Sequence, residues 1–170
     1  MANALRRPSA SCTPAKGLLC AEQFQVAYAT NDIDRARDWL SERLGIAEFR
    51  SLEGATPAGG HIRVELAWVG PTMYELITAT GPGSELYVGR LGTHEFAIRH
   101  HHLGFMIADE AQWHAVHAEA KRQGFAVPYE NETPGFMRSC FVDVPELGHY
   151  LEYLWPTDAG REFFASVPAN

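Results

Sequence analysis

Apolar and polar positions change period at regular intervals along the chain. FQVAYAT (24–30) is aromatic and β-branched and reads as a strand. Asn31-Asp32 follows as a helix cap. In DIDRARDWLSERLG, Ile33, Ala36, Leu40 and Leu44 recur at helical spacing, and Gly45 is a natural stop. Strands are then predicted at about 46–51, 61–69 and 73–79, separated by Gly/Pro-rich turns. The order β-α-β-β-β returns a second time. HHLGFMIA (101–108) is a strand and Asp109 a cap. Trp113, Val116 and Ala120 form a helical stripe that Gly124 ends, and strands follow at about 125–130, 137–143 and 148–155. Residues 1–21 are expected to be a disordered extension, 22–80 the first module, 81–97 a connector with one short helix, and 98–156 the second module. Residues 157–170 are a tail that includes a small docking helix.

The repeat can be tested by its spacing. Asp32 and Asp109, the two helix caps, lie 77 apart. Gln25 and His102 each precede their Asp by 7. Glu75 and Glu152, on the last strands TMYELITAT and GHYLEYLWP, are again 77 apart. The offset therefore selects Gln25, Glu75, His102 and Glu152. These are one imidazole, two carboxylates and one amide, an N/O set that suits a divalent metal: Zn, Ni, Co, Mn, Fe or Mg. Without thiolates it is not a structural zinc site. Strand alternation puts Gln25 with Gln23 and Ala27, Glu75 with Met73 and Ile77, and Glu152 with Tyr150 and Leu154. His102 shares a face with His100, Gly104 and Met106. Met73, Met106, Tyr150 and His100 are the resulting substrate-binding candidates. By the same parity His101 and His149 should face away from the metal, while His61, His94, His114 and His117 fall on turns or a helix surface.

These residues resemble a known group. FQVAYATNDIDRARDWLSERLGI, RHHHLGFMIAD and ELGHYLEYL are similar to the module openings and last strand of the vicinal oxygen chelate superfamily, which includes glyoxalase I, methylmalonyl-CoA epimerase, extradiol dioxygenases and antibiotic-binding proteins. The resemblance covers about residues 22–156 and leans to the epimerase and glyoxalase I branch. It implies an α+β fold in which two βαβββ modules form a curled mixed sheet around one metal-binding cleft. The family's metal ligands then fall on Gln25, Glu75, His102 and Glu152, with Gln25 standing where the epimerase usually has His.

The implied chemistry is proton transfer beside a metal-held carbonyl, in an epimerase, isomerase or lyase. Glu152 is one candidate base. Glu65, in HIRVELAWVG, is a second, with a plain alternative as a strand Glu paired with Arg63. The implied substrate is a small carbonyl compound or thioester, and dimerisation is common in the superfamily. Two other readings stay open: a metal-free protein that sequesters a small molecule, disfavoured by Glu75 and Glu152, and an Fe(II) ring-cleaving dioxygenase, disfavoured by the single His among four sites.

Charge and cysteine content narrow the partners. With a net charge of -7, neither nucleic acid nor an anionic membrane is expected. Three cysteines (Cys12, Cys20 and Cys140) match no zinc spacing, so reduced thiols in the cytoplasm are expected. MANALRRPSASCTPAKGLLC lacks the apolar core of a secretory signal, and Leu19 stands where a lipoprotein cleavage site needs a small residue.

Overall fold

The computed structural model describes residues 16–170. The first module contains β1 (Glu22–Thr30), α1 (Ile33–Leu44), β2 (Arg50–Ala55), β3 (His61–Val69) and β4 (Thr72–Thr80). A short helix, α2 (Glu85–Val88), lies in the connector. The second module contains β5 (Ile98–Met106), α3 (Glu110–Gln123), β6 (Tyr129–Thr133), β7 (Met137–Val144) and β8 (His149–Pro156), and α4 (Asp158–Ala165) follows. The fold is α+β. Its strands form one curled mixed sheet in the order β2-β3-β4-β1-β5-β8-β7-β6. β1 and β5 pair antiparallel at the centre, and each pairs parallel with the last strand of its own module.

Local chemistry sets the helix ends. Asp32 accepts from the Arg35 amide at 3.0 Å, and Asp109 from the Gln112 amide at 2.8 Å. Gly45 and Gly124 end α1 and α3 in the left-handed region. On the convex face, Ile33, Ala36 and Leu40 of α1 pack on Ala67 and Leu76. Trp113, Val116 and Ala120 of α3 pack on Phe105, Val142 and Tyr153. Tyr87 of α2 and Phe164 of α4 instead pack on the concave face with Val64, Ile77, Phe141 and Leu154. That face holds the cleft.

Three strands, β2, β5 and β6, are offset at both ends from the sequence expectation. β2 begins at Arg50 rather than near 46, because Ile46 is buried under α1 instead of pairing. β6 begins at Tyr129, because Phe125 packs toward α3. β5 ends at Met106, and buried Ile107 donates its amide to Leu154 instead. The expectation of a disordered extension lies outside the described residues for 1–15. Residues 17–20 dock on the second module: Leu18 is buried among α3 and β8 side chains, its carbonyl accepts from the Tyr153 hydroxyl, and Gln112 donates to the Cys20 carbonyl.

Candidate metal centre

The central antiparallel pair is bulged twice. Gln23 and Gln25 oppose the consecutive residues Phe105 and Gly104, so Phe24 is an extra residue on β1. Ala27 and Tyr28 oppose His102 and His100, so His101 is an extra residue on β5. Each bulge stands one position before a ligand-type side chain. Each such side chain also lies opposite a small residue of the other module, Gln25 opposite Gly104 and His102 opposite Ala27. A Cβ on Gly104 would stand 2.2 Å from Gln25 Oε1, so the absent side chain makes room for the amide.

Gln25, Glu75, His102 and Glu152 meet at the floor of the concave face, at most 9% exposed. His102 Nε2 is 2.9 Å from Glu152 Oε2 and 3.9 Å from Glu75 Oε1. Glu75, His102 and Glu152 each bring a ligand atom within 4.8 Å of the other two. Gln25 Nε2 donates to Glu75 Oε2 at 2.5 Å. Among the described residues, the buried side-chain atoms left without a hydrogen-bond partner are Gln25 Oε1 and His102 Nε2. The Nε2 contact with Glu152 is thus a close approach off the ring's N–H direction, not a hydrogen bond. Buried polar atoms rarely stay unpaired. Two such atoms beside two buried carboxylates form a donor set that fits a divalent cation, with Gln25 able to turn its oxygen inward.

The electrostatics agree. Burial, reinforced by Glu152, pushes the Glu75 carboxyl above the usual carboxylate range, against the opposing effects of His102 and the Gln25 hydrogen bond. Burial works to lower His102, but the adjacent Glu152 and Glu75 carboxylates outweigh it and raise the imidazole overall. Without a cation the centre therefore holds protons that free side chains would release. His101 is different: burial, with His102 adding, pulls it down to about 3.

The predicted neighbours are sorted differently by the structure. His101 does not face away. The bulge turns its ring to the cleft side, where Nδ1 lies 2.8 Å from His102 Nδ1 and Nε2 lies 3.1 Å from the Leu86 carbonyl. The same bulge sends His100 to the opposite face, beside Tyr28 and His149, so it is no pocket residue. Glu65 also lies on the convex side. Its neighbours Val64 and Leu66 take the cleft face, while Glu65 accepts from Arg63 and Ser51 at 2.6 and 2.7 Å and stands 4.0 Å from Arg37. It is a fully buried structural ion pair and touches nothing in the cleft. Met73 is buried beneath Gln25, Met106 packs against the core edge, and Tyr150 stacks on Phe141 under the Arg90 guanidinium; none of the three lines the cavity.

The cavity above the four residues holds about 320 Å³. Its walls include Tyr87, Tyr129, Phe141 and Asn131, which sequence reasoning missed. Alternation along β6 carries a signal for two of them, since 129, 131 and 133 share the inward face. Tyr87 sits in the connector and has no such signal. A larger hollow of about 440 Å³ lies beside α1 on the convex face, lined by Tyr28, Trp39, Tyr74, Phe96 and others, and among the described residues no carboxylate or imidazole lines it.

The model of the Glyoxalase/Bleomycin resistance protein/Dioxygenase superfamily matches residues 23–151. The chain belongs to that superfamily. Among solved structures, a methylmalonyl-CoA epimerase in complex with methylmalonyl-CoA and NH4+ is similar at a TM-score of 0.60 and 17% identity, covering 82% of this chain and 96% of its own. The epimerase from Mycobacterium tuberculosis gives 0.54 and 16%, covering 89% and 95%. A variant of 4-hydroxymandelate synthase from Streptomyces coelicolor gives 0.55 and 13%, covering 81% of this chain and 49% of its own. Comparison with curated protein sequences gives no match. At these identities the structural likeness establishes the superfamily's fold and leaves the reaction to the site.

Proposed function

We propose that the protein is a divalent-metal-dependent enzyme that moves a proton at the carbon next to a carbonyl, as an epimerase, isomerase or lyase does. The observation that carries this reading is the convergence of Glu75, Glu152 and an unpaired His102 Nε2 under an apolar cavity. Glu75, His102, Glu152 and the Gln25 oxygen would hold the metal. Once bound, it would supply Lewis-acid polarisation of the substrate carbonyl.

The remaining work falls to the side chains. Gln25 occupies Oε2 of Glu75, whereas the close neighbour of Glu152 is His102 alone, off hydrogen-bond alignment. Glu152 is therefore the better base, taking the proton from the substrate carbon and returning it. Burial keeps the Tyr87 and Tyr129 hydroxyls above the ordinary tyrosine range, so both face the cavity as hydrogen-bond donors rather than phenolates.

The walls also bear on the substrate. Among the described residues, the charged ones lining the cavity are Glu53, Glu75 and Glu152, with no Lys or Arg. This favours an uncharged apolar carbonyl compound over a CoA thioester such as the epimerase neighbour binds. The test is solvent-deuterium exchange into 2-hydroxyacetophenone and methylmalonyl-CoA, with Co, Ni, Mn or Zn added. Metal-dependent exchange that Glu152→Gln abolishes supports the reading. A metal-loaded protein that exchanges neither compound but binds one of them is a sequestering protein instead.

A further inference from the structure

His101 and His102 form a hydrogen-bonded chain whose direction follows from its two ends. The Leu86 carbonyl can only accept, so His101 Nε2, 3.1 Å away, carries a hydrogen. A neutral imidazole carries one hydrogen, which leaves His101 Nδ1 as an acceptor. The 2.8 Å approach of the two Nδ1 atoms then requires His102 Nδ1 to donate. In the neutral imidazole His102 Nε2 is then the lone pair, directed at the carboxylates. A cationic His101 would reverse the chain and put a hydrogen on His102 Nε2. Two observations oppose that. His102 Nε2 makes no hydrogen bond to Glu152 despite lying 2.9 Å from it. His101 is buried among Tyr87, Phe141 and Tyr150, and no carboxylate contacts it among the described residues.

We propose that His101 is a positioning residue that locks His102 in its Nδ1–H tautomer and so presents Nε2 to the metal centre. The β-bulge makes this feasible. It puts two consecutive side chains on one side of the strand, where ordinary alternation would separate them. The α2 carbonyl of Leu86 anchors the far end of the relay, which ties the connector to the centre. Metal-bound histidines commonly direct their second nitrogen to a carboxylate or a carbonyl. Here an imidazole is interposed between the ligand and the carbonyl. It adds no charge to a donor set that already holds two carboxylates.

The purpose assigned to the lock rests on the metal reading, but the tautomer belongs to the metal-free chain and is tested there. Long-range proton–nitrogen correlation spectra of the ¹⁵N-labelled full chain, recorded at a pH where His102 is neutral, should show His102 protonated on Nδ1 and His101 protonated on Nε2. His101→Phe keeps a ring in place but removes the acceptor. It should move His102 toward the Nε2–H form and weaken Co²⁺ binding by about 10–100-fold. In His101→Gln the carboxamide oxygen can accept from His102 while its NH₂ donates to Leu86, so affinity and tautomer should return toward those of the unmodified chain. A neutral His102 protonated on Nε2 and not on Nδ1 in the unmodified chain overturns the proposal. So does a folded His101→Phe protein with unchanged tautomer and unchanged Co²⁺ affinity. If the tautomers are as assigned but the unmodified chain binds no Co²⁺, the metal reading falls and the lock remains.

Discussion

The two modules place the same bulge one residue before their first ligand, and fill it with different chemistry. In β1 the extra residue is Phe24, which packs against Trp68 and Phe164 and serves the core. In β5 it is His101, which hydrogen-bonds the ligand that follows it. The ligands differ in step. Gln25 can turn its amide oxygen inward with no change of protonation. His102 offers a lone pair to a metal in only one tautomer for a given ring orientation. A duplicated backbone feature thus carries a packing residue where the ligand needs no partner and a hydrogen-bonding one where it does.

The sharpest way to break the comparison is at the last strands. Glu75 and Glu152 hold equivalent positions, but Glu152 alone is assigned proton transfer. Glu152→Gln should lower metal-dependent deuterium exchange by about 10²–10⁴-fold, the usual contribution of a general base. Exchange that survives this change and is lost in Glu75→Gln with metal still bound would exchange the two roles.

A second contrast lies between buried carboxylates on opposite faces of the sheet. Glu65 is fully buried with Arg63, Ser51 and Arg37 around it, whereas Glu75 and Glu152 have no guanidinium among their contacts with the described residues. Burial of a carboxylate therefore says little by itself; its partners decide what it does. Arg63→Met should destabilise the fold by about 2–3 kcal/mol in urea unfolding, since it leaves Glu65 buried and under-compensated. Metal stoichiometry should not change.

The centre should also respond to pH in a set direction. In the metal-free protein Glu75 keeps its proton above the ordinary carboxylate range, and His102 is raised as well. Metal must displace those protons. Its affinity should therefore rise with pH below the raised values, by up to about tenfold per unit for each proton released, and level off above them. Titration calorimetry in two buffers of different ionisation heat counts the protons. The smallest effect belongs to His100. It sits on the convex side with Tyr28 and His149, so His100→Ala should change Co²⁺ affinity by no more than about 0.5 kcal/mol.

Much of this architecture was legible from spacing. The caps at Asp32 and Asp109 and the stops at Gly45 and Gly124 lie where the chain chemistry put them. The 77-residue offset singled out four side chains that the sheet brings to one place. Parity failed at His100 and His101 because a bulge is a property of two strands together, and neither strand announces it alone. The side taken by Glu65 likewise depends on register: Leu66, not Glu65, lies opposite Glu75. Residues 46–49 and 125–128 fall within predicted strands, yet tertiary packing uses their apolar side chains to close α1 and α3 onto the sheet.

The central claim is that Gln25, Glu75, His102 and Glu152 form one metal centre. Equilibrium dialysis of the purified full chain against Co²⁺, with metal counted by mass spectrometry beside the His102→Ala protein, tests it most directly. The account predicts one ion per chain and its loss in His102→Ala. An unmodified chain that retains no metal, or a His102→Ala protein that retains as much, would contradict it.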